Sequence, residues 1–210
     1  MNLLQKLFNR DKAGNELRTG GMEDFMTLIR VYFQASIANK VGITNLNMLP
    51  DLRVFKQTLK IPTINNRLGL NEKTRCRKML GEIYGLKDDF FKEIDESIKK
   101  NCRNLNEMQS YLYMFQGFSQ DLLTLLTNTM QVKLRIPAIF KKTLRSVVAD
   151  GVKNIMEKDD WKDESQRKLA VGLRQMQRRL LYSPEWMTEY AWKIVLLAKK
   201  EPRRKDTETK

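Results

Sequence analysis

The sequence predicts an all-α protein, an irregular multi-helix bundle of about seven to nine helices packed around a long helix over roughly residues 105–132. Three observations predict it. Leu, Met, Lys, Arg, Glu and Gln, all good helix formers, dominate the chain. Strand and turn punctuation is sparse, with 10 Gly and 5 Pro in 210 residues. Apolar residues return at three- and four-residue steps through most of the sequence. A hydrophobic content of 41% suffices for a substantial core without disulfides or metals, so neither cofactor nor metal is expected.

The N-terminal segment, Met1 to Arg10, sets Leu3, Leu4, Leu7 and Phe8 on one side of a short helix beside Lys6 and Arg10. It reads either as a terminal helix or as an interfacial segment that touches an anionic membrane. Asp11 to Gly21 is polar, holds three glycines and lacks periodic apolar residues, which predicts that residues 1–21 are a short amphipathic segment and its flexible tether, ahead of a single helical domain over 22–199.

Met22, Phe25, Met26, Ile29, Tyr32 or Phe33, and Ile37 mark an amphipathic helix that Gly42 should close in the left-handed conformation. Pro50 suits the first turn of a helix carrying Leu52, Phe55 and Leu59. Pro62 and Asn65-Asn66 then predict a loop over 61–70, the one candidate subdomain break.

Asn71 and Asp88 are candidate caps for the next two helices, which a tight turn at Gly85 separates. A DNA-binding helix-turn-helix is disfavoured, because the second helix carries Asp88, Asp89, Glu93, Asp95 and Glu96 and phosphates would repel it. An antiparallel pair whose opposite charges neutralise each other fits better, the first helix bearing Lys73, Arg75, Arg77 and Lys78.

Between Glu107 and Lys133 the only charge is Asp121, and Met108, Leu112, Phe115, Leu122, Leu125 and Met130 trace a helical face that Tyr111, Met114 and Leu123 widen. Gln116, Ser119, Gln120, Thr124, Thr127 and Asn128 interrupt any run long enough for a transmembrane span. A further helix after Pro137 carries Lys141, Lys142 and Arg145 on its outer side, and Asp163 with Gln166 resembles a capping box for the helix that follows.

Over Glu164–Leu181, a rotation of 100° per residue places Leu169, Leu173, Met176 and Leu180 in one sector. Arg167, Arg174 and Arg178 fall in another, flanked by Lys168 and Arg179. Five crowded cations repel one another unless an anion lies against them, and the planar guanidinium fork suits phosphate. Ser183-Pro184-Glu185 predicts a sharp start for the last helix, with Ser183 as its cap and Pro184 at its first position. Its apolar residues, with Trp186 on one face and Trp192 on another, suggest cover on two sides, so residues 183–199 are a candidate contact with a protein partner or a second copy. Lys199, Lys200, Arg203, Arg204 and Lys205 lead into a basic, disordered tail over 200–210.

Charge is the strongest global signal. The formal net charge is +14, with 19 basic and 14 acidic residues in 1–130 but 20 and 11 in 131–210. Such a field attracts polyanions. Histidine is absent, which removes the usual general base and the commonest nitrogen ligand for zinc. Cys76 and Cys102 stand far apart, so no Cys-x-x-Cys pair can form, and both read as reduced thiols of a cytoplasmic protein.

These features point to a non-catalytic binding protein that offers a basic C-terminal surface to a polyanion, with nucleic acid backbone the leading partner. Its candidate residues are Lys141, Lys142, Arg145, Arg167, Lys168, Arg174, Arg178, Arg179, Lys199, Lys200, Arg203, Arg204 and Lys205. The alternative is a membrane-peripheral scaffold or adaptor that uses Leu3, Leu4, Leu7, Phe8, Trp186 and Trp192.

Overall fold

A computed structural model describes residues 21–63, 67–131 and 164–200. Among these, seven α-helices and no strand form the chain: α1 (Met22–Val41), α2 (Pro50–Leu59), α3 (Leu70–Tyr84), α4 (Asp88–Asn101), α5 (Leu105–Gln131), α6 (Glu164–Tyr182) and α7 (Glu185–Lys200). The expected all-α multi-helix bundle is therefore what this sequence builds.

Its centre lies elsewhere than expected. α5 has the anticipated bounds, but it turns Gln109, Tyr113, Gln116, Gln120 and Thr124 to solvent. The enclosed helix is α1, which packs against α2, α3, α4, α5 and α7. Twelve of its residues are buried, among them Phe25, Leu28, Val31, Phe33 and Ala35, which fall on different sides of the cylinder. A helix apolar all round belongs in the middle of a bundle. The stripe from Met22 to Ile37 identified one buried face of α1 and missed the others.

Gln34 and Arg30 of α1 find their partners at the start of α2. Gln34 Nε2 donates to Asp51 Oδ2 at 2.7 Å, and Gln34 Oε1 accepts the Leu52 N–H at 3.0 Å. Arg30 Nε reaches Asp51 at 3.3 Å. With these bonds made, burial of Gln34 costs little. Pro50 opens α2 as expected.

The loop over 61–70 is tied down at its described positions. Lys56 Nζ donates to the Ile61 carbonyl at 2.7 Å and pairs with the buried Glu72 at 3.2 Å, and Asn71 Nδ2 donates to the Pro62 carbonyl. Asn71 thus holds the loop instead of capping α3, whose first residue is Leu70. The cap is Gly69, at φ 91°, whose N–H donates to Glu72 Oε2 at 3.1 Å. A Cβ there would stand 2.2 Å from the Ala35 carbonyl oxygen. Only glycine lets α3 enter this close to α1.

α3 and α4 neutralise each other as the sequence suggests. Lys73 meets Asp95 at 2.6 Å and Arg77 meets Asp88 at 2.8 Å. Asp88 is the first residue of α4 but makes no cap; Arg77 takes its carboxylate and holds it below the usual range. The Tyr32 hydroxyl adds a bond to Asp95 from α1, so three helices share one carboxylate.

α7 closes the core. Trp186 is 1% exposed and its ring lies within 6.4 Å of Phe33, Phe90 and Phe115. Tyr190 packs on Phe25, Phe115 and Phe118, and its hydroxyl lies 3.0 Å from that of Ser119. Offset and tilted rings at these distances add to the area they bury.

Candidate polyanion-binding surface

Among the described residues, α6 lies chiefly against a single neighbour, α5. Met176 and Leu180 are buried in that seam, and Gly117 of α5 lets the Arg179 guanidinium lie close over its backbone, where a Cβ would be 3.2 Å from Arg179 Nη2. Arg179 Nε donates to Asp121 Oδ2. A helix attached along one side leaves the opposite side to solvent, and this positions the site.

The outer side carries Arg167, Arg174 and Arg178, all exposed, as the 100° rotation predicts. Lys168 is exposed at its edge. Glu164, one turn upstream, lies 3.9 Å from Arg167 and 3.7 Å from Lys168. Pairs this long and this exposed contribute about 0–1 kcal/mol, so a phosphate can replace Glu164 at little cost. Arg179 is different. It is committed to Asp121 inside the α5–α6 seam, so the five-cation cluster expected from the sequence is four exposed cations and one inter-helix pair.

The sequence reading missed the side chains that stand between these cations. Val171, Leu181 and Tyr182 are 49%, 66% and 87% exposed. Leu181 and Tyr182 flank Arg178 on either side at 100° per residue, and Tyr182 follows it by one turn. That i, i+4 spacing was the signal available; a periodicity search for core positions discards it, because Leu181 and Tyr182 look like the end of an apolar stripe.

Ser183 Oγ donates to the Arg179 carbonyl at 2.6 Å. The serine expected to cap α7 therefore closes α6 and fixes its last turn. Trp186 is a core residue, and Trp192 is partly buried and packed against the core. Tyr190, Ala191, Ile194, Val195 and Leu197 of α7 are buried too, by α1, α4 and α5. The double apolar face has its second cover within the chain, which removes the motive for a partner at 183–199.

Lys199 and Lys200 end α7, one residue further than the expected start of the tail. Lys141, Lys142, Arg145, Arg203, Arg204, Lys205, Leu3, Leu4, Leu7 and Phe8 lie outside the described residues, as do Asp163 and the acids near Trp161.

A groove of about 610 Å³ runs between α1, the start of α2 and α5. Met26, Met48, Leu112 and Leu123 line it, and Arg30, Gln34 and Asp51 form a polar end already satisfied by its own bonds. Among the described residues no helix is long and apolar enough to cross a membrane, and no group of three His, Cys, Asp or Glu could hold a metal ion. Cys76 and Cys102 are free and buried, and burial pushes both thiols up, Cys102 to about 11.

A family model described as Domain of unknown function (DUF8491) matches residues 1–206, a range that includes the N-terminal segment and the stretch 132–163. No curated protein and no solved structure matches the chain.

Proposed function

We propose that this chain, which belongs to the family of the domain of unknown function DUF8491, is a non-catalytic helical protein that binds a polyanion, foremost nucleic acid backbone, on the outer side of α6. The observation that carries the reading is the exposure of Arg167, Arg174 and Arg178 on one side of a helix whose other side is fastened to α5. The net charge of +14 supports it by concentrating polyanions near the surface. Buried free thiols fit a reducing compartment, and the cytoplasm is the proposed location.

Phosphate contacts dominate such binding, so affinity falls steeply with salt and discriminates little between sequences. Replacing Arg167, Arg174 and Arg178 together with Glu should abolish retention on nucleic acid at moderate salt while the circular dichroism spectrum stays helical. Undiminished retention of a folded triple variant would overturn the reading.

A second reading, peripheral contact with an anionic membrane, gains support from Val171 and Leu181 standing exposed beside arginines. Removing residues 1–12 separates the two. Vesicle co-sedimentation should collapse under the membrane reading, whereas retention on nucleic acid is indifferent to the deletion.

A further inference from the structure

We infer that the α6 surface takes single-stranded nucleic acid, with a base stacked on the Tyr182 ring and neighbouring phosphates on Arg178 and Arg174; this rests on the polyanion reading above and names its substrate class. Tyr182 is 87% exposed, the most exposed of the large apolar side chains among the described residues. Tyr32, Tyr84, Tyr111 and Tyr190 are core residues and Tyr113 is exposed among the uncharged polar residues of α5, so Tyr182 is the exposed phenol that stands at the end of an arginine row.

The geometry is regular. Arg174, Arg178 and Tyr182 succeed one another at four-residue steps, each a rise of about 6 Å along the helix, comparable to the spacing of nucleotides along an extended strand. Each step also turns by about 40°, so the three share one side of α6. The Ser183 bond to the Arg179 carbonyl keeps Tyr182 within the closed last turn of the helix. Leu181, on the other side of Arg178, adds an apolar contact for a base or sugar.

A duplex keeps its bases stacked inside and offers this ring nothing to stack on, whereas an unpaired strand presents a π-face at every nucleotide whatever the sequence. Guanidinium groups beside the ring can bind phosphate or stack in turn. A lipid surface is the weaker fit. Val171, Leu181 and Tyr182 are spread over about three turns and separated by charge, too little contiguous apolar area to seat a helix in a bilayer interface.

The test is anisotropy of a labelled oligothymidylate of about 12 nucleotides, compared with a duplex of the same length, on the full chain. Tyr182→Ala should weaken single-strand binding about tenfold and leave duplex binding unchanged, while Tyr182→Phe should restore single-strand affinity. The side chain is exposed, so the helical spectrum should be unaltered. If Tyr182→Ala leaves single-strand affinity intact while Arg174→Glu with Arg178→Glu removes it, this inference falls and the polyanion reading stands. If the wild-type chain retains neither nucleic acid, or binds only phosphatidylserine vesicles, both fall together.

Discussion

Asp121 and Arg179 meet across the α5–α6 seam, the one charge of α5 between Glu107 and Lys133 holding one of the five cations of α6. Their side chains are 24% and 37% exposed. The pair decides which way the α6 cations divide: Arg179 turns inward over Gly117, and Arg167, Arg174 and Arg178 remain on the outer side.

A half-exposed pair of this kind contributes about 1 kcal/mol or less, so Asp121→Asn should lower thermal stability slightly and leave polyanion retention unaltered. Its coupling to Gly117 is the sharper measurement. Gly117→Ala gains up to about 1 kcal/mol of helix propensity but crowds a guanidinium that Asp121 holds in place. We expect it to be near neutral in the wild-type chain and stabilising in an Arg179→Ala background. Additivity of the two substitutions in a double-mutant cycle would contradict the contact.

Gly69→Ala should be among the most damaging single changes. Positive φ alone costs an L-residue about 1–2 kcal/mol, and Gly42→Ala or Gly85→Ala, with nothing within 4 Å of the added Cβ, should cost only that. At Gly69 the new carbon would also collide with the Ala35 backbone. Denaturant midpoints for the three variants should rank Gly69→Ala far below the others; equal midpoints would mean α3 does not enter α1 this closely.

Trp186→Ala should destabilise by about 3–5 kcal/mol through cavity formation among Phe33, Phe90 and Phe115. Trp186→Phe should cost less. Both effects should appear in the unfolding of the isolated chain, whereas a partner-contact tryptophan would leave that unfolding unchanged.

Stability should fall as pH rises above about 9. Burial pushes Tyr32, Tyr84 and Tyr190 up, Tyr190 to about 12, and pushes Cys76 and Cys102 up, Cys102 to about 11. An unfolded chain ionises its thiols near 9.0 and its phenols near 10.0. The native state therefore holds more protons than the unfolded one in this window. The stabilisation is complete below pH 9 and is lost progressively as pH climbs through the folded values. Melting temperatures measured from pH 7 to 11 should decline in the upper half of that range; a flat profile would show that these groups are not enclosed.

Much of the fold was legible because helices announce themselves locally. Gly42 and Gly85 close α1 and α3, and Pro50 opens α2, since each supplies a backbone conformation its neighbours cannot. The caps assigned to Asn71, Asp88 and Ser183 did not form, because a side chain chooses between a helix end and a tertiary partner: Pro62, Arg77 and Arg179 offered better ones. The candidate site was half legible. Rotation along α6 placed Arg167, Arg174 and Arg178 together, but Arg179 could be removed from the set only by knowing that Asp121 lies across the seam.

Residue order alone determined that this chain is helical, where most of its helices begin and end, and that its charge is concentrated toward the C-terminus, because these depend on spacing, propensity and composition within a few turns. Which helix occupies the middle, which tryptophan is core and which tyrosines face water were decided by tertiary packing. Periodicity shows that a residue has an apolar side to hide but not how many neighbours come to cover it. Among the described residues α1 receives five, and α6 is held chiefly by one, and that difference makes one helix the core and the other the surface.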